Sequence, residues 1–153
     1  MVNIEELLGV ALKIEGSGYQ FYTALASRAS GKNKDLFKSL AEQEREHMKI
    51  FEKIVAQSKE KSETQPLNEE AVGYLRIFAE TSIFPEIEQE VPDDFKQALQ
   101  IALDVEKDSV VFYEELVKYA PQKETIQKII DEEKKHFKDI LKMIETYDKT
   151  SHK

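Results

Sequence analysis

Two pairs of segments, far apart along the chain, repeat each other without a gap. Residues 11–22, ALKIEGSGYQFY, lie over residues 102–113, ALDVEKDSVVFY. Residues 40–51, LAEQEREHMKIF, lie over residues 129–140, IIDEEKKHFKDI. Apolar residues recur in all four at the 3.6-residue helical spacing. A chain written twice in this way is two copies of one helix pair, so the fold to expect is all-α with four long helices.

The periodic segments run from about 4 to 29, 34 to 59, 94 to 119 and 121 to 147. Asn3 with Glu6 reads as an N-cap pair for the first, and Pro121 suits the first helical position of the fourth. Segments one and two are joined by SGKN, three and four by little more than AP. Links this short make antiparallel hairpins. Residues 60–93 join the hairpins. They suggest a short helix around 68–79, then an irregular stretch with Pro85 and Pro92. A 26-residue helix is about 39 Å long, and a connector of this length can return along it. The expected architecture is a four-helix bundle with one long crossover, residues 1–153 forming a single domain.

Composition removes several classes of function. A formal net charge of -8 argues against nucleic acid and against an anionic membrane surface as partners. The absence of cysteine rules out disulfides, cysteine zinc sites and rubredoxin-type iron sites. MVNIEELLGV has neither a basic region nor a cleavable apolar stretch, and there is no run of 18 apolar residues. A soluble, cytoplasmic protein is expected.

The chemistry lies in the repeat. The chain has three histidines, and two of them end a Glu-x-x-His: EREH at 44–47 and EKKH at 133–136. In so glutamate-rich a chain the motif alone proves little, but three features add to it. Glu44 and His47 fall within the apolar stripe Leu36, Phe37, Leu40, Met48, Phe51, Ile54, Val55, and Glu133 with His136 among Ile126, Ile129, Ile130, Phe137, Ile140 and Ile144. Glu15 lies among Leu7, Leu8, Leu12, Tyr19, Tyr22 and Leu25; Glu106 among Leu99, Leu103, Val110, Tyr113 and Leu116. Each helix thus aims one carboxylate at the core, where an uncompensated charge costs several kcal/mol. Second, the turns Ser30-Gly31 and Ala120-Pro121 lie near the midpoints of the pairs 15/44 and 106/133, so each lone Glu should sit level with the Glu-x-x-His opposite. Third, four carboxylates balance two divalent cations. Residues i and i+3 share a helix face, and carboxylate oxygen with imidazole nitrogen suits iron or manganese, with zinc also admissible.

With these residues in view, the chain resembles the ferritin-like di-iron carboxylate proteins, and within them the rubrerythrin-like group. That superfamily draws one Glu from each of two helices and Glu-x-x-His from each of the other two. The resemblance covers the four helices and not the crossover. It implies two iron ions, with Glu15 and His47 terminal on one, Glu106 and His136 terminal on the other, and Glu44 and Glu133 bridging. Tyr22 and Tyr113, each seven residues after a lone Glu, match tyrosines often found near such metals, where they could donate hydrogen bonds or electrons; ordinary core packing explains them equally well. Ser109 stands where rubrerythrins usually carry an additional carboxylate, and Arg45 stands where a bacterioferritin would carry a haem-ligating Met. The implied activity is reduction of peroxide or dioxygen by a di-iron oxidoreductase. With no rubredoxin domain, its electrons would come from a separate protein. The alternatives are ferroxidase-type iron handling and substrate hydroxylation. Gly16 and Gly18 could leave space for a small ligand, permit a helix distortion, or allow close helix packing. His152 lies in a polar tail. Phe78, Ile83 and Phe84 would pack over the bundle end or serve a homodimer contact.

Overall fold

The computed structural model describes residues 4–61, 70, 73, 75, 77 and 92–151. Four helices carry it: α1 Ile4–Arg28, α2 Gly31–Lys61, α3 Phe95–Leu116 and α4 Lys123–Ser151. Helix α1 packs chiefly on α2, and α3 on α4, as two hairpins.

The helix ends show where sequence expectation and local physics part. Helix α2 starts at Gly31, three residues before the expected start. Gly31 has φ +59°, a left-handed conformation that glycine adopts without steric penalty, so the chain reverses within Ala29-Ser30. Helix α3 begins after Asp94, whose Oδ1 accepts from the backbone N–H of Lys96 at 2.9 Å and of Gln97 at 3.3 Å. Its α-helical part stops at Leu116, short of the expected Tyr119. The chain then tightens, with Lys118 N–H donating to Glu115 O and Tyr119 N–H to Leu116 O. Pro121 is not the first residue of α4. Gln122 intervenes with φ 54°, which breaks helical continuity, and its carbonyl accepts from Thr125 N–H and Ile126 N–H to start the helix. The Asn3 cap, the crossover proline Pro85, the apolar group Phe78, Ile83, Phe84, and His152 all lie outside the described residues.

Within the crossover, Glu70, Gly73, Leu75 and Ile77 are helical, at positions inside the expected short helix, and Leu75 is buried. Arg28 at the end of α1 donates to the Pro92 carbonyl at 2.7 Å and lies 3.7 Å from Asp93. This ties the turn of the first hairpin to the entry of the second.

The core is one apolar cluster along the bundle axis, including Leu8, Phe37, Phe51, Leu99, Phe112 and Ile130. The expected stripes hold with the same shift of register in α1 and α3. In α1, Ile14 and Phe21 are buried, while Leu12 and Tyr19 are only partly so. In α3, Val105 and Phe112 are buried while Leu103 and Val110 are only partly so, and Leu36, Met48, Val55 and Phe137 are partly buried too. Aromatic rings frame the middle of the bundle: Phe51 against Tyr113 at 5.4 Å between centroids, and Tyr22 stacked on Phe37 at 6.5 Å. Inside this apolar sleeve lie Glu15, Glu44, His47, Glu106, Glu133 and His136, none more than 3% exposed.

Candidate metal centre

Each of the four helices delivers its carboxylate to one level of the core, and α2 and α4 add their histidines one turn on. The ligand atoms form two overlapping groups, Glu15, Glu44, His47, Glu133 and Glu44, Glu106, Glu133, His136. Within each group they lie no more than 4.8 Å apart. The groups share Glu44 and Glu133, the residues that the resemblance assigns as bridges.

Glu133 faces both histidines. Its Oε1 lies 3.0 Å from His47 Nδ1 and its Oε2 3.6 Å from His136 Nδ1. His47 Nδ1 is also 3.4 Å from Glu15 Oε2. His136 Nδ1 is 3.3 Å from Glu44 Oε1 and 3.7 Å from Glu106 Oε1. The two imidazoles lie face to face, 6.2 Å between centroids. Both rings therefore turn Nδ1 inward and Nε2 outward.

The tyrosines cross the bundle. Tyr113 on α3 donates to Glu15 Oε1 on α1 at 2.8 Å, and Tyr22 on α1 donates to Glu106 Oε1 on α3. Each copy of the repeat thus steadies the lone carboxylate of the other. Gly18 has a packing role: a Cβ there would fall 2.9 Å from Glu44 Oε2 and 3.3 Å from its Cδ. The missing side chain makes room for a shared carboxylate. Gly16 has no such neighbour, since its Cβ would meet only Met48, at 3.8 Å. Ser109 is buried and bonds to its own helix at Val105 O, 2.8 Å.

Without cations the cluster is electrostatically divided. Burial, then repulsion by Glu133 and Glu15, raises the Glu44 carboxyl well above the usual range. Burial and Glu133 do the same to Glu106. Burial also pushes Glu15 and Glu133 upward, but hydrogen bonding within the cluster, including that from His47, outweighs it and leaves both lowered. Burial would lower the histidines; instead their carboxylate neighbours lift His47 to about 11 and His136 to about 10. Burial and nearby carboxylates raise both tyrosines. Among the described residues, four buried polar atoms lack a hydrogen-bond partner: Glu15 Oε2, Glu44 Oε1, Glu106 Oε2 and His136 Nδ1. Buried polar atoms ordinarily find partners. All four of these belong to the six clustered side chains, so the donor set fits a pair of cations.

Sequence reasoning missed two neighbours. Glu132 Oε2 contacts His47 Nε2, and Gln43 Oε1 contacts His136 Nε2 at 2.5 Å. Each immediately precedes the Glu of a Glu-x-x-His. The repeat alignment pairs them, but it pairs Arg45 with Lys134 in the same way, so the sequence carried no signal that singled them out. Arg45, Glu46, Lys134 and Lys135 are exposed spacers.

A four-helix bundle with one carboxylate per helix and two Glu-x-x-His motifs meeting at its centre defines the ferritin-like carboxylate class. The Rubrerythrin family model matches residues 6–146, and the chain belongs to that family. Its fold is shared with a crystal structure from Thermotoga maritima described as a "putative ferritin-like diiron-carboxylate protein". The two are 29% identical with a TM-score of 0.72, over 94% of this chain and 95% of that one. No curated protein gives a significant match. Among the described residues no helix is long and apolar enough to cross a membrane.

Proposed function

We propose that this chain is a di-iron oxidoreductase that reduces peroxide or dioxygen with electrons delivered by a separate protein. The observation that carries the reading is the set of buried, unpartnered polar atoms on Glu15, Glu44, Glu106 and His136, enclosed by an apolar sleeve. Glu15 and His47 would hold one iron, Glu106 and His136 the other, and Glu44 and Glu133 both. Bound iron would supply the redox electrons and the positions at which the oxidant is taken up. The chain's own residues do the rest. The sleeve excludes bulk water and keeps the local dielectric low, which strengthens every charge interaction within it. Tyr22 and Tyr113 fix the lone carboxylates by hydrogen bonds and hold a proton beside each. Residues at most 3% exposed admit a small oxidant more readily than a bulky organic substrate, which favours peroxide or dioxygen over hydroxylation. Ser109, hydrogen-bonded to its own backbone, adds no carboxylate, so the six residues are the donor set.

Iron loading under anaerobic conditions, followed by metal quantification, tests the site. The expected result is two iron equivalents per chain in the wild type and loss of stoichiometric loading in Glu44→Gln. A wild-type chain that binds no transition metal stoichiometrically would end the proposal. Stopped-flow oxidation of the iron-loaded, reduced protein by peroxide and by dioxygen then tests the activity. Rapid oxidation by one of them supports it. Equally slow oxidation by both would leave iron handling as the function.

A further inference from the structure

The two halves of the site match at the six clustered residues and at both tyrosines, and differ at Gly18 against Ser109 and at the position that backs each histidine; only the second of these touches an imidazole. Glu132 on α4 contacts Nε2 of His47 on α2, and Gln43 on α2 contacts Nε2 of His136 on α4. The Gln43 amide has a settled orientation, because its Nε2 donates to Ser39 Oγ at 3.3 Å and its oxygen faces the ring. Both Nδ1 atoms face the carboxylate cluster. Whenever Nδ1 gives its lone pair to a cation, Nε2 carries the ring hydrogen and donates it outward. His47 then donates to a carboxylate and His136 to a neutral amide.

These acceptors are not equivalent. A hydrogen bond to an ionised acceptor is roughly twice as strong as one between neutral groups. A carboxylate behind a histidine also raises the basicity of the nitrogen facing the metal, and losing such a partner typically weakens metal binding about 10–100-fold. The Glu132 side chain is 52% exposed, so solvent screens part of its charge and the effect belongs at the lower end of that range.

We propose that the two metal positions differ in affinity, and that the position held by Glu15 and His47, backed by Glu132, fills before the one held by Glu106 and His136, backed by Gln43. The inference rests on the di-metal reading above. It adds an order of loading and assigns that order to Glu132 and Gln43, acting as positioning residues through the imidazoles.

The probe is cobalt(II), which reports coordination by visible absorption and needs no turnover. Calorimetric titration of metal-free wild type should resolve two steps separated by about 10-fold or more in affinity. Glu132→Gln should weaken the tighter step by about 10-fold and merge the two. Gln43→Glu should tighten the weaker step by a similar factor. The double exchange should restore two steps with the order reversed. Anomalous diffraction from crystals grown with one cobalt equivalent would show the ion beside His47 in wild type and beside His136 in the double exchange. Thermal melts of the metal-free variants would establish that all are folded. Weakened binding in both single variants would indicate a merely structural role and overturn the inference, as would a first cobalt beside His136 in wild type. Two ions binding with equal affinity would sink this inference and leave the di-metal site standing. No cobalt binding at all would remove both.

Discussion

Glu44→Gln should make the metal-free protein more stable while removing its ability to hold two cations. Glu44 lies in a cluster whose ligand atoms are within 4.8 Å of one another. At that separation and an effective dielectric of about 20, each pair of ionised carboxylates repels by about 3.5 kcal/mol. Burial and this repulsion raise the Glu44 carboxyl well above its usual range, which favours its protonated form. Protonating a carboxyl of ordinary value 4.5 at pH 7 costs about 3.4 kcal/mol relative to the ionised unfolded chain. Glutamine has the same shape, is neutral at every pH and carries no such cost, so about 3.4 kcal/mol is the ceiling on the gain. Imperfect amide hydrogen bonding reduces this to about 1–3 kcal/mol. For a chain of this size that is a rise in midpoint of about 2–4 °C per kcal/mol. The assay is thermal denaturation followed by circular dichroism, in chelator, at pH 7 and again at pH 4.5. The sign of the pH effect follows from the raised native value. The penalty exists only where the unfolded carboxyl is ionised, so the advantage of the glutamine variant must shrink as pH falls from 7 to 4.5. Adding divalent metal at 100 times its dissociation constant should stabilise wild type by about 2.7 kcal/mol and the variant far less. A metal-free Glu44→Gln protein that melts below wild type at pH 7 would refute the reasoning, since Glu44 would then be an ordinary, well-satisfied buried group.

Other consequences can be measured directly. His47 and His136, raised to about 11 and 10 in the metal-free fold, contribute stability that is complete below the unfolded value of 6.5 and is lost as pH rises through 10–11. Denaturant melts in chelator should therefore show stability falling from pH 7 to 10, by at most about 1.4 kcal/mol per pH unit for each histidine; metal-loaded protein, whose imidazoles are already neutral, should lack that slope. Gly18→Ala places a methyl 2.9 Å from Glu44 Oε2 and should weaken cobalt(II) binding with little net change in metal-free stability, whereas Gly16→Ala, 3.8 Å from its nearest neighbour, should add about 1 kcal/mol and leave binding unchanged. Tyr113→Phe removes the donor to Glu15 and should cost about 1.5–3 kcal/mol in metal-free denaturant melts. A loss below about 0.5 kcal/mol would show that the Tyr113–Glu15 bond contributes little.

The helices were legible because each is amphipathic over many turns, and a long periodic signal survives errors at its ends. Those ends were less legible. The Gly31 reversal and the Gln122 break depend on single residues adopting positive φ, and composition does not announce which residue will do so. Pro121 carried a genuine local preference for a first helical position, but the helix starts two residues later, at Lys123. Ile14 and Phe21 are buried where Leu12 and Tyr19 were expected to be, because a helix in a bundle packs on two neighbours. The buried arc is then wider than a single stripe.

The buried part of the site was legible for a different reason. A carboxylate in an apolar stripe is an anomaly that burial alone makes expensive, and here the anomaly is repeated in all four helices. No such cost marks Gln43 and Glu132. Both are polar residues at the rim, where polar residues are normal, and nothing in their local sequence distinguishes them from Arg45 or Lys134. Only three-dimensional placement separates them, because each reaches the histidine of the other hairpin. The same crossing governs Tyr22 and Tyr113, whose hydroxyls serve the lone carboxylates of the opposite copy. Neither hairpin therefore holds a complete site: the lone carboxylates and the histidines of each half are steadied by residues from the other. Electrostatics point the same way. In the metal-free fold the carboxyls of Glu44 and Glu106 are raised and both imidazoles are raised to about 10–11; with a proton on each of the four, the cluster is neutral, and two divalent cations would replace those four protons without changing the buried charge. Metal uptake at pH 7 should therefore release close to four protons per chain, which calorimetry in buffers of different ionisation enthalpy would count. Release of only one or two would mean that the metal-free cluster is not neutralised in this way.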